Sequence, residues 1–288
     1  MLFYSCASNS KKDSKMLTKS YGTGNKTLIL INGGPSLSNY ISTLGIQLSD
    51  KYKIVEYYQK GTPENPTKNK DELILKAHLS DLKRVVEDCK GSQIILVGHS
   101  WGASLALIYL SQNPGMISKT ILIGSEPLND EVAKKFGGNI QARLTEESKA
   151  QLQTIKTEFD QAKSDEERST LMQRRLTIIG PTYHLDPKTE ENFSDLQWNY
   201  TTFVTSIDSL WDFIDEGKIS GALSKISDPV VAFHGDFDPI PMEETFTFLK
   251  TKIKGLKTIE VKKTGHFPWL EKDAKVAFMI GNQVCRSL

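Results

Sequence analysis

Ile94-Ile95-Leu96-Val97-Gly98-His99-Ser100-Trp101-Gly102-Ala103-Ser104-Leu105-Ala106-Leu107-Ile108-Tyr109-Leu110 decides the reading of this chain. The opening run, Ile94 to Val97, is apolar without alternation, the pattern of a strand buried on both faces. The closing run, Ala103 to Leu110, reads as a buried helix. Between them lies Gly-x-Ser-x-Gly. Strand, Gly-x-Ser-x-Gly and helix in that order make a nucleophile elbow. A turn this tight excludes a Cβ at its flanks, which accounts for the glycines at 98 and 102. The turn presents the Ser100 hydroxyl at the carboxyl end of the strand. It also sets Ser100 at a helix N-terminus, where peptide dipoles favour developing negative charge.

Outward from the elbow, short apolar strands alternate with helices. Lys26 to Ile31 is a buried strand that ends at Asn32-Gly33-Gly34-Pro35. Lys53 to Tyr58 is a second, and Asp71 to Cys89 has the spacing of an amphipathic helix. Further strands are expected at Lys119 to Ile123, from Val230, and at Lys257 to Val261, with a closing helix over Glu271 to Val284. Such alternation predicts an α/β fold, a mostly parallel central sheet with helices on both faces. The pattern breaks between about Pro127 and Ser227, where long polar helical segments replace strands. Residues 17–126 and 228–288 are therefore read as the α/β core, 127–227 as a helical cap inserted over the sheet edge, and 1–16 as a flexible tail.

Bulk properties bound the function. The chain has 288 residues, with 38% hydrophobic and 25% charged, so a sizeable core can form. A formal net charge of +1 gives no electrostatic footprint for nucleic acid. No apolar stretch approaches the ~20 residues of a transmembrane helix. Three cysteines, Cys6, Cys89 and Cys285, do not make a disulfide framework or a zinc site. A cytoplasmic location is expected. The alternative is a bacterial lipoprotein tethered through Cys6, because Leu2-Phe3-Tyr4-Ser5-Cys6 followed by polar Ala7 to Lys15 is similar to the end of a lipoprotein signal. As printed, its apolar part is too short for a signal core.

A serine hydroxyl needs a base, and the base needs an orienting carboxylate. In this fold they follow in the order Ser, acid, His. Of five histidines, His266 in Thr264-Gly265-His266-Phe267 lies after the last strand and meets both order and placement. His234 ends a strand and its neighbours suggest packing. His99 is the variable residue of the elbow, His78 lies on a helix and His184 lies in the insertion. The acid is expected in Gly235-Asp236-Phe237-Asp238-Pro239, and spacing alone does not separate Asp236 from Asp238. An Asp before Pro also starts turns or caps helices. The oxyanion needs two backbone donors. Trp101 N–H follows the nucleophile, and Gly34 N–H lies in the loop after the first inner strand. Cap aromatics, Trp198, Tyr200 and Trp211 among them, are candidate walls for a small ligand.

These motifs resemble the α/β-hydrolase superfamily, and within it the proline iminopeptidase-like serine hydrolases. Ile31-Asn32-Gly33-Gly34-Pro35-Ser36 resembles H-G-G-P-G, and Tyr58-Gln59-Lys60-Gly61-Thr62-Pro63 resembles D-Q-R-G-x-G. Gly98 to Leu107 is similar to G-G-S-W-G-x-x-L-A-L. Gly235-Asp236-Phe237-Asp238 resembles the G-x-x-D of the family acid, which favours Asp238, and Gly265-His266-Phe267-Pro268 resembles G-H-x-P. Asn32, Ser36, Tyr58 and Lys60 depart from the pattern. The resemblance implies a serine hydrolase without cofactor or metal, with Ser100, Asp238 and His266 as triad. It implies an aminopeptidase acting on short peptides or aminoacyl amides, whose free amine meets acidic cap residues. Glu190, Glu191, Asp195, Asp208 and Asp212 are available for that. A carboxylesterase or other small-acyl hydrolase is the alternative, and a hydrolase-fold binding protein is the non-enzymatic one.

Overall fold

A computed structural model describes residues 16–186, 196–271 and 275–285. Among these, seven strands form one sheet in the order β1-β3-β2-β4-β5-β6-β7. They are β1 (Thr18–Tyr21), β2 (Lys26–Ile31), β3 (Lys53–Tyr57), β4 (Gln93–His99), β5 (Lys119–Ile123), β6 (Val230–Gly235) and β7 (Lys257–Val261). All neighbours pair in parallel except β1, which runs antiparallel to β3. The six parallel strands match the apolar runs in the sequence. Strand β1 has no such run. It is a four-residue edge with two exposed positions, and pairing with β3 rather than burial makes it a strand.

Helices α1 (Ser42–Leu48), α2 (Leu75–Asp88), α3 (Trp101–Gln112), α9 (Met242–Lys252) and α10 (Val276–Cys285) pack around the sheet. The predicted helix from Asp71 begins instead as a 3₁₀ turn, Lys70–Glu72, before α2. Helix α3 is buried from Trp101 to Leu110, as an apolar helix without a polar face must be. The two sheet faces close over two apolar clusters, one built on α2 and α3 and the other on α1 and α10.

Between β5 and β6 the described chain forms α4 (Asp130–Arg143), α5 (Glu146–Gln161), α6 (Asp165–Ile179), a 3₁₀ turn at Gly180–Tyr183, α7 (Tyr200–Asp215) and α8 (Lys218–Leu223). The starts of four of these helices are written in the sequence. Asn129, Thr145, Ser164 and Asn199 each accept a backbone N–H three residues on, satisfying a donor that the helix itself cannot. None of the described helices is long and apolar enough to cross a membrane. Cys6, Glu190, Glu191 and Asp195 lie outside the described residues.

The elbow is packed as tightly as its glycines suggest. A Cβ on Gly98 would run into the Gly102 carbonyl oxygen, and one on Gly102 into the Ile31 carbonyl oxygen. Neither obstacle is a side chain that can swing away. Gly102→Ala should therefore destabilise by at least about 2–3 kcal/mol, the scale of core overpacking. Gly138→Ala, inside α4 with open space around it, should stabilise by about 0.5–1 kcal/mol. Urea unfolding of the two variants beside the parent checks both signs.

Candidate active site

Ser100 joins β4 to α3 with φ 52° and ψ −119°, a conformation that non-glycine residues hold only under constraint, at about 1–3 kcal/mol. The constraint is visible. Ser100 N–H donates to Ile123 O of the neighbouring β5 at 3.0 Å, and Ser100 O accepts Ala103 N–H at 2.9 Å. Trp101 opens α3, so its N–H is one of the helix donors with no intrahelical partner.

Asp238 is buried, and its Oδ2 lies 2.7 Å from His266 Nδ1. Its Oδ1 accepts Ile240 N–H at 2.8 Å. It therefore turns the loop, and Pro241, not Asp238, precedes α9. Burial alone would raise the Asp238 pKa. The His266 and His234 charges and the two hydrogen bonds outweigh burial and hold the carboxyl below its usual value. An ionised Asp238 fixes the proton of His266 on Nδ1 and leaves Nε2 as an acceptor. Asp236 is different. It is exposed, and its Oδ1 accepts Thr264 N–H at 3.2 Å, which ties the acid loop to the base loop.

The remaining histidines sort by their partners. His234 is fully buried; its Nε2 donates to Ile240 O at 2.9 Å and lies 3.3 Å from Asp238 Oδ2. His99 has a larger part than its place as the variable elbow residue suggests. Its Nε2 donates to His266 O at 2.9 Å, so its Nδ1 accepts from Tyr40 O–H at 2.7 Å. Burial first, and then the neighbouring His266 charge, hold His99 well below the usual histidine pKa. It is a neutral strut. On the other side, His266 N–H donates to Tyr183 O at 2.7 Å. The His266 peptide is thus held at both ends, once by the elbow and once by the inserted segment.

Two further residues escaped the sequence reading. Gln59 is buried, donates to Asn32 O at 2.8 Å and accepts Trp101 Nε1–H at 2.9 Å. It braces the Asn32-Gly33-Gly34 loop against Trp101, the two places expected to supply oxyanion donors. Asn32 completes the brace, its Oδ1 accepting Tyr40 and Ile41 N–H at 3.2 Å each. Gln59 and Gly61 are the residues that the family-like segment at Tyr58 to Pro63 shares with its motif, which was the available signal for Gln59. Gly124, just past β5, has φ +51°, and a Cβ there would sit 2.9 Å from His266 Nδ1 and 3.0 Å from Asp238 Oδ2. No sequence pattern marks it, because its neighbours come from distant segments.

Ser100, His266, Gly34 and Trp101 border one cavity of about 330 Å³. Its walls are chiefly apolar, with Leu37, Phe136, Ile140, Ile179, Phe203 and Ile207 prominent. Of the three cap aromatics expected there, Trp198 lines the cavity and Tyr200 and Trp211 do not. Tyr200 packs on Phe159, under the Arg168 guanidinium. The face of α7 that meets the cavity carries Phe203 and Ile207, one turn apart, and Trp211 falls a turn beyond. Arg143 of α4 links the insertion to the acid loop, donating to Thr182 O and Phe237 O at 2.8 Å each and stacking 4.1 Å over the Phe237 ring.

A family described as alpha/beta hydrolase fold matches residues 26–273. The chain belongs to the α/β-hydrolase fold family. Solved structures of the family agree in architecture. An esterase from Exiguobacterium antarcticum superposes with a TM-score of 0.66 at 19% identity, covering 93% of this chain and 95% of that one. A thermophilic esterase from Thermogutta terrifontis gives 0.67 at 16%, covering 93% and 92%. A bromoperoxidase from Bacillus anthracis gives 0.61 at 18%, covering 93% of each. No curated protein sequence matches the chain significantly. At these identities the likeness is one of fold.

Gly124→Ala should push the His266 and Asp238 side chains apart and lower kcat on a simple ester by at least about 10²-fold, since misplacement of about 1 Å costs that much. Gln59→Leu should lower kcat by about tenfold or more while KM changes little, because it loosens a transition-state contact rather than the cavity walls. Steady-state kinetics on both variants, with circular dichroism to verify the fold, check these outcomes.

Proposed function

We propose that this protein is a serine hydrolase of small acyl compounds that works through an acyl-enzyme, with ester cleavage as its simplest reaction. The observation that carries this reading is the His266 Nδ1 to Asp238 Oδ2 contact of 2.7 Å, in a site where Ser100 and His266 open into the same apolar cavity. Ser100 Oγ attacks the carbonyl carbon while His266 Nε2 takes its proton. Asp238 holds the ring and steadies the imidazolium. Gly34 and Trp101 N–H groups face the oxyanion of the tetrahedral intermediate. As the intermediate collapses, His266 returns the proton to the leaving group, and the acyl group stays on Ser100. Water then attacks the acyl-enzyme, giving its proton to His266, and the carboxylic acid leaves as Ser100 is reprotonated.

Helices α4 to α8 act as a cap in this reading, since Phe136, Ile140, Ile179, Phe203 and Ile207 form much of the cavity wall. The apolar walls favour a neutral acyl group over a charged one. The aminopeptidase reading finds less support. Of the cap carboxylates available to hold an amine, Asp208 and Asp212 are exposed and do not line the cavity.

The parent should hydrolyse p-nitrophenyl butyrate. Asp238→Asn should lower kcat by up to about 10⁴-fold, the cost of losing the carboxylate that orients the base. Asp236→Asn should stay within about threefold of the parent, because Asn keeps an Oδ1 that can accept the Thr264 N–H, and the contact is a single part-buried loop hydrogen bond, worth about 1 kcal/mol. Initial rates on the three proteins under one set of conditions test the assignment, and a crippled Asp236→Asn beside an active Asp238→Asn would reverse it.

A further inference from the structure

Glu126 is the one carboxylate among the described residues that line the cavity, and the mechanism above does not use it. It stands two residues past Gly124, in the loop that packs against the His266 ring and the Asp238 carboxylate. Asp238 already serves His266, so the base gains nothing from a second carboxyl. The two oxygens of Glu126 differ. Oε2 is sealed from water and has no hydrogen-bond partner among the described residues. The side chain as a whole is half-buried and borders the cavity, so Oε1 is the oxygen turned to the open volume. An ionised carboxylate in an apolar wall needs donors or a countercharge, and Oε2 has no donor. Burial is the only influence on the group, and it pushes the carboxyl up to about 8. The side chain is therefore a neutral acid with one O–H. On Oε2 that proton would be a sealed donor with no acceptor. On Oε1 it is offered to the cavity.

We propose that the neutral Glu126 carboxyl donates a hydrogen bond to an uncharged acceptor oxygen of the substrate, an ether or a second carbonyl, and so selects oxygen-bearing esters over their hydrocarbon equivalents. This deepens the hydrolase reading and rests on it for its turnover arm. It accords with the apolar walls, because the group recognised carries no charge. A hydrocarbon in its place leaves the O–H unpaired once water is expelled. A cation would need the carboxyl ionised, with charge on an Oε2 that nothing hydrogen-bonds. A site that hydrogen-bonds a substrate group rejects the analogue lacking it more strongly than a site that only matches shape. The selecting donor then comes from the core loop after β5, not from the inserted helices.

Esters that exchange one CH2 for one oxygen test this. Ethyl methoxyacetate against ethyl butyrate puts the oxygen in the acyl part. 2-Methoxyethyl butyrate against butyl butyrate puts it in the alcohol part. For each pair the ratio of kcat/KM, ether over hydrocarbon, is measured in the parent, Glu126→Leu and Glu126→Gln. Comparing the ratio between proteins cancels the intrinsic reactivity of each ester. In Glu126→Leu it should fall at least about fivefold for one pair, the worth of one neutral hydrogen bond, and that pair tells on which side of the scissile bond the acceptor lies. In Glu126→Gln, whose amide still donates, the same ratio should stay closer to that of the parent than to that of Glu126→Leu. A smaller fall in both pairs, including an equal loss on all four esters, overturns the proposal. So does a Glu126→Gln ratio closer to that of Glu126→Leu. If none of the four esters is hydrolysed, the hydrolase reading fails, and ligand-observed NMR decides the proposal without turnover. Relative to 2-pentanone, methoxyacetone should then bind Glu126→Leu at least about fivefold more weakly than it binds the parent, and a smaller relative loss overturns the donor site.

Discussion

The peptide group of His266 is gripped from both sides, and the site depends on that grip. Its N–H gives a hydrogen bond to Tyr183 O, and its C=O receives one from His99 Nε2. The side chain meets Asp238. Three separate segments thus fix one residue. His99 belongs to the elbow strand, so His266 and Ser100 are held from one rigid element. Tyr183 belongs to the 3₁₀ turn at the end of α6, so the inserted helices are joined to the chemistry rather than merely laid over it. Arg143 repeats this coupling, binding carbonyls next to Tyr183 and next to Asp238. The insertion is thus tied by hydrogen bonds both to the loop of Asp238 and to His266. Loops alone would leave such a constellation loose; here His99 Nε2–H donates to His266 O, Tyr183 O and Asp238 Oδ2 accept from His266, and burial keeps His99 neutral.

How much of this was legible depends on how local each signal is. The elbow is contiguous, and its strand, strained turn and helix are read directly from Ile94 to Leu110. The parallel strands are apolar runs, and the stretch from about Pro127 to Ser227 stands out because long polar helical segments replace them. Ser100, Asp238 and His266 follow strands β4, β6 and β7; Ser100 and His266 border one cavity, and Asp238 lies buried against His266 Nδ1. Strand β1 was not legible because a short, polar edge strand has no hydrophobic signature. Gly124 was not legible for a different reason. Its neighbours are His266 and Asp238, more than a hundred residues away, and no periodicity records that meeting. His99 and Gln59 were visible only as members of motifs. Their work, bracing the base and the oxyanion loop, depends on which backbone atoms come within hydrogen-bond reach. Tyr200 and Trp211 show the opposite error. Aromatic clustering marked α7, but only the middle of one face meets the cavity: Phe203 and Ile207 line it, while Tyr200, a turn before, packs on Phe159 and Trp211 falls a turn beyond.

Stability and function divide along the same line. The core invests in close packing, with glycines at the elbow that leave no room for a methyl group. The site carries two costs, Ser100 at positive φ and a buried Glu126 Oε2 with no hydrogen-bond partner among the described residues. Each lowers stability slightly and gains meaning only against a substrate.

The central claim is that Ser100 is a nucleophile activated by His266. Reaction with a fluorophosphonate, followed by peptide mass spectrometry, tests it most directly, because the reagent captures only an activated serine and the adduct reports which one. The account predicts a single adduct on the peptide containing Ser100, lost in Ser100→Ala and strongly slowed in His266→Ala. An adduct on another residue, or labelling that persists in Ser100→Ala, would contradict it.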